Sequence, residues 1–207
     1  MANKDYFASL DALKLVHTRW KHYRLRIFDK RSEVTVIAPH GGFIEPGTSF
    51  LAKVVAAHDC NLFDFQGLLK TCSMRLHVTS VNFRDPRLSD LLERSKLAVS
   101  LHSMGDVGNG EIWVGGLALR AKQDIVKQLR ARGFKVRAET PRYKGVHPGN
   151  VVNLPSGNGV QLELSNAVLK ELFAGGVRFD ADDESQNVPP RMKDFVEAVR
   201  VGLGLAN

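Results

Sequence analysis

The segment from Val34 to Thr48, which reads VTVIAPHGGFIEPGT, constrains the fold of this chain more than any other stretch. A β-branched apolar run ends at Pro39 and is followed by His40, two glycines and Glu45, before a Pro-Gly-Thr sequence typical of a helix start. Short continuous apolar runs are typical of buried strands, and open α/β sheets bind ligands beyond the carboxyl ends of their strands. The segment therefore predicts a buried strand, a turn and a helix, with His40 and Glu45 at the functional edge of a sheet.

Two further apolar runs end in residues of the same kind. Leu97–Leu101 leads directly into His102 and a glycine-containing loop, and Val160–Leu164 carries Glu163 near its end. Alternation within this last run puts Glu163 on the opposite face from its apolar neighbours, where a solvent-facing strand glutamate is the alternative interpretation. A hydrolytic zinc site needs three His or carboxylate ligands, an open position for water, and a nearby carboxylate that moves the proton of that water. The strand ends supply this complete set.

Five segments in this order resemble the poly-γ-glutamate hydrolases of bacteriophages and related bacterial proteins: VTVIAPHGGFIEPGTS, RLHVTSVNF, LAVSLHSMGD, WVGGL and GVQLELS. That family belongs to the wider zinc carboxypeptidase-like group, and the resemblance runs from about Val34 to the C-terminal helix. It implies an α/β fold with a mixed sheet flanked by helices on both faces, one Zn²⁺ ion, and hydrolysis of γ-glutamyl amide bonds by a metal-activated water. By matching position, it implies that the zinc ligands are His40, Glu45 and His102, and that Glu163 is the general base.

Substrate binding is predicted less directly. A carboxylate-rich substrate calls for arginine, and Arg75 in RLHVTS matches a basic residue of the family, with His77 and Asn82 close by in sequence. The chain departs from the family at Leu154, where the family's N-x-x-N-R motif usually has arginine. This departure keeps a second interpretation open, a zinc amidase or carboxypeptidase acting on another γ-glutamyl or cell-wall peptide.

The length of 207 residues suits one domain with a single core, so residues 1–207 are predicted to form one catalytic domain. The first 32 residues are expected to contain a helix and an edge strand or hairpin arm, and residues 33–207 the family-matching core. Strands alternate with helices along this core, which indicates an α/β sheet. Within it, Arg75–Thr79 is predicted to be a strand, Thr48 or Ser49 a helix cap, and Asp180–Asn187 a polar acidic stretch.

The net charge of +7 predicts attraction to polyanions. Poly-γ-glutamate, with a free α-carboxylate on every residue, fits this charge, but so does nucleic acid, and so does a simple solvated basic surface. No helix-turn-helix or zinc-finger pattern stands out, so a DNA-associated phage or plasmid protein is the least favoured interpretation. No apolar run has membrane-spanning length, and MANKDYFASL lacks a secretory pattern, so synthesis in the cytoplasm is expected, with release by lysis left open. The oligomeric state is not specified by the sequence.

Overall fold

The computed structural model of the protein describes residues 5–174 and 188–205. The helices of these ranges are α1 (Leu10–Val16), α2 (Thr48–Ala56), α3 (Pro86–Glu93), α4 (Leu119–Ala131), α5 (Asn166–Leu172) and α6 (Pro190–Gly202). The strands are β1 (Tyr23–Phe28), β2 (Val34–Gly42), β3 (Asn61–Gly67), β4 (Leu97–Ser103), β5 (Glu111–Gly116), β6 (Lys135–Arg137) and β7 (Gly159–Leu164). Short 3-10 helices cover Ser73–Leu76 and Val151–Asn153. The predicted acidic stretch Asp180–Asn187 lies outside the described residues.

The strands of the described residues form one mixed sheet in the order β1-β3-β2-β4-β7-β5-β6. Neighbouring strands run parallel from β3 through β2 and β4 to β7, whereas β1 is antiparallel to β3 and β5 is antiparallel to β7. The carboxyl ends of the four parallel strands therefore meet at one edge of the sheet. In the β4–β7 ladder His102 lies directly beside Glu163, which brings two of the predicted site residues together.

Helices cover both faces of this sheet, which confirms the predicted α/β architecture. The larger buried cluster, to which Leu162 belongs, fills the face covered by α2, α4, α5 and α6. A second cluster, to which Ala98 belongs, fills the face covered by α1 and α3. Because side chains alternate along a strand, His102 shares the face of Ala98, and Glu163 faces away from Leu162. The candidate site residues of β4 and β7 thus lie on the side of the sheet that packs against α1 and α3.

Of the two possibilities for the first 32 residues, an edge strand or a hairpin arm, the edge strand is observed: β1 (Tyr23–Phe28) pairs with β3 at one side of the sheet. The prediction of a strand at Arg75–Thr79 is wrong. The chain there forms a 3-10 turn followed by an extended segment, and neither is part of the described sheet. Leu76 and Val78 are nevertheless fully buried in the second core cluster. Their alternation comes from packing against that core rather than from pairing with another strand.

The predicted helix cap is also wrong. Helix α2 begins at Thr48 after Gly47, which has a φ of 92° and provides no side-chain cap. The hydroxyl of Thr48 instead donates to the carbonyl of Glu45, at 2.8 Å. The hydroxyl of Ser49 accepts from the backbone N–H of Gly42 and donates to the Asp64 carboxylate, at 3.0 and 2.7 Å. Both hydroxyls therefore stabilise the turn before the helix rather than the first amides of the helix.

Among the described residues, no helix is both long enough and apolar enough to span a membrane.

Candidate active site

The turn after β2 determines how His40 and Glu45 meet. The ladder between β2 and β3 shifts register between Ala38 and Gly41, and the backbone N–H of Glu45 donates to the carbonyl of His40 at 2.8 Å. A Cβ atom at Gly41 would lie 2.0 Å from the Ser49 hydroxyl, so glycine is required for this close approach. Irregular strand ends of this kind redirect side chains, and this one turns His40 and Glu45 toward each other.

Three of the predicted residues converge at this edge of the sheet. Nδ1 of His40 lies 2.9 Å from Oε1 of Glu45, and Nδ1 of His102 lies 3.2 Å from Nδ1 of His40. Nδ1 of His102 also lies 3.4 Å from Oε2 of Glu45. Both imidazoles are buried, with exposed fractions of 2% and 3%. The arrangement places two ring nitrogens and a carboxylate around one small volume.

Backbone groups orient these side chains. Nε2 of His40 lies 2.9 Å from the carbonyl of Val78, which can only accept, so this nitrogen carries a proton and Nδ1 is the ring nitrogen that faces Glu45. The backbone N–H of Ser103 donates to Oε2 of Glu45 at 3.0 Å. Nε2 of His102 is buried and lacks a hydrogen-bond partner among the described residues. Lone pairs that face a carboxylate at close range require a proton or a cation between them, so this donor set suits a metal ion.

The pKa shifts in the cluster also indicate that the site needs positive charge. Burial would raise the pKa of Glu45, but His40 and His102 outweigh burial and hold that pKa well below its usual range. Burial would lower the pKa of His102, but the Glu45 and Glu163 carboxylates outweigh it and raise the pKa of this imidazole. The carboxyl groups of Glu45 and Glu163 thus draw positive charge into the site, and a divalent cation would supply that charge.

Glu163 lies next to this cluster and is buried, with an exposed fraction of 5%, so the solvent-facing interpretation is wrong. Burial raises its pKa to about 8, and the charge of Glu45 acts in the same direction. His102 and a hydrogen bond from Nε2 of Gln161 to Oε1, at 2.9 Å, oppose that rise. A buried carboxyl group whose pKa lies near neutrality is suited to accepting and returning a proton.

His77 is a further imidazole at the site. Its ring centroid lies 4.0 Å from that of His40, and the ligand atoms of His40, Glu45 and His77 all lie within 4.8 Å of one another. Nδ1 of His77 is 2.8 Å from Oδ1 of Asp5, whose other oxygen accepts from the backbone N–H of Thr79 at 2.7 Å. Burial lowers the pKa of His77 to about 4, so the ring is neutral and its Nε2 is a free electron-pair donor. The sequence offered no signal that Asp5 would take part.

The other predicted substrate residues lie at the surface. Arg75 is exposed, with its guanidinium 5.6 Å from the centre of the Tyr6 ring, and Asn82 is also exposed. Leu154, at the end of the second 3-10 helix, has an exposed fraction of 39%. The roles of Arg75 and Asn82 stay predictions.

The fold and the cluster place this protein in a class of α/β proteins with a mixed sheet. In this class, imidazole and carboxylate side chains, which commonly bind metal ions, lie together at the carboxyl ends of the parallel strands. Residues 7–198 match the family model described as poly-gamma-glutamate hydrolase. The chain therefore belongs to the poly-gamma-glutamate hydrolase family, as the sequence motifs indicate.

Similar proteins are known in sequence and in structure. A solved structure of a bacteriophage poly-gamma-glutamate hydrolase is 31% identical, with 97% of each chain covered and a TM-score of 0.88. A zinc-free apo structure of YndL is 28% identical, with 97% of this chain and 98% of that chain covered and a TM-score of 0.86. The SPbeta prophage-derived protein YoqZ of Bacillus subtilis (strain 168) is 33% identical over 154 residues, which are 73% of this chain and 56% of YoqZ. The chain thus spans little more than half the length of this curated relative.

Proposed function

We propose that this protein is a zinc-dependent hydrolase that cleaves the γ-glutamyl amide bonds of poly-γ-glutamate. The observation that carries the proposal is the convergence of His40, Glu45 and His102 beside the buried carboxyl group of Glu163. Membership of the poly-gamma-glutamate hydrolase family supports poly-γ-glutamate as the substrate. The similar YndL structure is a zinc-free apo form, which supports zinc as the metal.

The donor set fits zinc. Tetrahedral zinc with bonds of about 2.0–2.1 Å holds its ligand atoms about 3.3 Å apart. The two Nδ1 atoms of His40 and His102 are 3.2 Å apart, and each lies near one oxygen of Glu45, His40 at 2.9 Å from Oε1 and His102 at 3.4 Å from Oε2, which is close to this spacing. Three protein ligands leave one position open, which is the pattern of catalytic rather than structural zinc sites. When bound, zinc supplies a Lewis acid that lowers the pKa of a water molecule toward about 7 and polarises the amide carbonyl.

Glu163 performs the proton transfers of the proposed reaction. Its carboxylate accepts a proton from the attacking water while the water oxygen forms a bond to the amide carbon. As the carbon–nitrogen bond breaks, Glu163 returns the proton to the nitrogen of the leaving amine. The products are a γ-carboxylate and a free α-amino group, and Glu163 is restored to its starting state. Its position beside His102 in the β4–β7 ladder holds it next to the proposed metal ligands.

The substrate would be held through its charge. Every residue of poly-γ-glutamate carries a free α-carboxylate, and the net charge of +7 favours the approach of such a polymer. Arg75, His77 and Asn82 are proposed to contact the substrate. His77 is the one of these three that lies within the described cluster, and it has the geometry of a further donor to the metal or to a molecule bound there.

The proposal is tested by the length of poly-γ-glutamate after incubation with the zinc-loaded protein, with the protein after chelation, and with Glu163→Gln. We expect the wild type to shorten the polymer and chelation to stop it. Because a general base contributes about 10²- to 10⁴-fold, kcat of Glu163→Gln should fall by a factor in this range while its zinc content stays the same. Glu93→Gln, at an exposed carboxylate of α3, is the matched control and should keep full activity. Intact polymer with zinc-loaded wild type would reject this substrate.

Leu154 favours one alternative within the same chemistry. The missing arginine removes a cation that would bind a substrate carboxylate, so a cell-wall stem peptide with a γ-glutamyl bond is the second candidate substrate. Release of stem-peptide fragments at a higher kcat/KM than polymer cleavage would favour it. If Leu154→Arg lowers KM for poly-γ-glutamate, the side chain at position 154 contributes to the choice between poly-γ-glutamate and the stem peptide.

A further inference from the structure

Gln161 hydrogen-bonds with Glu163 from two residues earlier on the same face of β7. Its Nε2 donates to Oε1 of Glu163 at 2.9 Å and to the carbonyl of Tyr143 at 3.3 Å. Its Oε1 accepts from Nδ2 of Asn150 at 2.8 Å. Gln161 and Asn150 are both buried, each with an exposed fraction of 5%. These bonds form a continuous chain from Asn150 through Gln161 to the proposed general base.

Backbone groups at both ends fix the direction of this chain. The N–H of Val152 can only donate and lies 3.2 Å from Oδ1 of Asn150, so Nδ2 of Asn150 must face Gln161. The carbonyl of Tyr143 can only accept, so the amide nitrogen of Gln161 must point toward it and toward Glu163. Neither amide can flip without placing two donors or two acceptors against each other, and in a buried site such a mismatch is costly.

A second asparagine of the same loop provides an internal comparison. Nδ2 of Asn153 donates to the carbonyls of Gly145 and His147, at 2.6 and 3.0 Å, and its Oδ1 accepts from the N–H of Leu117 at 3.2 Å. Asn150 and Asn153 both attach the loop to the sheet and are equally buried. Within the described residues, Asn150 is the one of the two whose side chain bonds to Gln161.

We propose that Gln161 and Asn150 are positioning residues for Glu163. Gln161 holds Oε1 of the carboxylate, so that Oε2 is the oxygen that exchanges the proton with water and with the leaving amine. Asn150 fixes the amide of Gln161 in its donating orientation. The catalytic consequence rests on the proposed function, whereas the hydrogen-bond chain does not depend on it.

The decisive pair of variants is Asn150→Asp and Asn153→Asp. In Asn150→Asp the new carboxylate would still accept from the N–H of Val152 but would present an acceptor to Gln161, so the amide of Gln161 turns and its donor leaves Glu163. We expect kcat to fall about 10- to 100-fold, because a displaced base is poorly aligned, with KM within about threefold. Asn153→Asp loses loop contacts of the same kind without reversing Gln161, so it should lower the melting temperature and leave kcat within about threefold of wild type.

Gln161→Met keeps the volume of the side chain but cannot donate, and it carries the test if Asn150→Asp does not fold. We expect it to lower kcat as Asn150→Asp does, with unchanged zinc content. Equal loss of kcat in Asn150→Asp and Asn153→Asp, or kcat of Gln161→Met within about twofold of wild type, would overturn the proposal.

Crystal structures of the metal-free wild type and metal-free Asn150→Asp, or Gln161→Met in its place, separate this inference from the proposed function. We expect the Gln161–Glu163 hydrogen bond in the wild type and a rotated Glu163 carboxylate in the variant. If the wild type cleaves no polymer but Glu163 rotates as expected, the proposed function fails and the hydrogen-bond chain stands. If the Glu163 carboxylate keeps its position in the variant, the positioning role is wrong, whatever the substrate is.

Discussion

The candidate site brings together two groups of side chains that are held in different ways. His40, His102 and Glu163, which we call the strand-end group, lie on three strands of one parallel ladder and are 2% to 5% exposed. The loop group consists of Arg75, His77 and Asn82, and lies in the segment between β3 and α3 outside the described sheet. His102 and Glu163 are paired with each other in the β4–β7 ladder, whereas His40 lies at the register shift near the end of β2. In the second group His77 depends on a contact with Asp5, which is 72 positions away in sequence.

This difference separates two tasks. Metal ligands and a general base must be held within fractions of an ångström, and sites built on strands achieve this better than sites on loops. Residues that bind a flexible polymer tolerate movement, and loops commonly carry them. We therefore expect zinc binding to depend strongly on the two histidines of the strand-end group and weakly on the loop group.

The largest expected effect is the loss of zinc from the strand-end group. His102→Ala removes one of the three proposed ligands of a tetrahedral site, so bound zinc should fall from about one ion per chain to a small fraction of that. Elemental analysis of the purified, dialysed proteins measures this. His58→Ala, at an exposed imidazole, is the control and should keep its zinc. Full zinc occupancy in His102→Ala would show that His77 rather than His102 completes the ligand set.

An intermediate effect on zinc affinity is expected when Asp5, the hydrogen-bond partner of His77 in the loop group, is replaced. Asp5→Ala removes the acceptor of His77 and also that of the Thr79 N–H. Because partners that orient an imidazole near a metal contribute about 10- to 100-fold in affinity, we expect the Kd for zinc to rise by about 10-fold with unchanged stoichiometry. Competition with a chromophoric chelator gives this Kd.

Asp11→Ala changes an exposed carboxylate of α1 in the same N-terminal segment and serves as the control for Asp5→Ala. An unchanged Kd in Asp5→Ala would mean that His77 does not contribute to the metal site. A loss of zinc as complete as in His102→Ala would remove the distinction between the two groups.

The strand-end group was predictable because local sequence patterns and sheet geometry agree there. An apolar run that ends in histidine identifies both a strand and the side chain at its carboxyl end, and parallel strands bring such ends to one edge. His40 and His102 follow this rule. Glu163 was placed on the correct face by the alternation of β7, but a strand pattern does not show that this position is buried in the folded chain.

The loop group was less predictable because long-range contacts determine it. Alternating burial of Leu76 and Val78 resembles a strand in sequence, although the pattern arises from packing against the core. The stacking of His77 on His40 and its contact with Asp5 join segments that share no motif. Gln161 is part of the GVQLELS motif, and its position two residues before Glu163 on the same face was the available signal for its contact with that carboxylate.

The smallest expected effect concerns Asp64. Its carboxylate accepts a hydrogen bond from Ser49, which in turn holds the turn after β2. Burial raises the pKa of Asp64 from 3.8 to about 6, although hydrogen bonds from Ser49 and Gln66 oppose the rise. Between about pH 4 and pH 6 the folded protein therefore retains a proton that the unfolded chain has released. It follows that the contribution of Asp64 to stability declines as the pH rises through this window and is constant above it.

Asp64→Asn isolates this contribution because the amide does not titrate. Between about pH 4 and pH 6 the urea midpoint of the wild type should decline relative to that of Asp64→Asn, whereas Asp90→Asn, at an exposed carboxylate of α3, should follow the wild type. Zinc affinity at about pH 7 should change by less than about 10-fold, because Asp64 acts through Ser49 and the turn rather than on the metal. If Asp64→Asn lost zinc as His102→Ala does, the turn rather than the strand ladder would determine the ligand geometry.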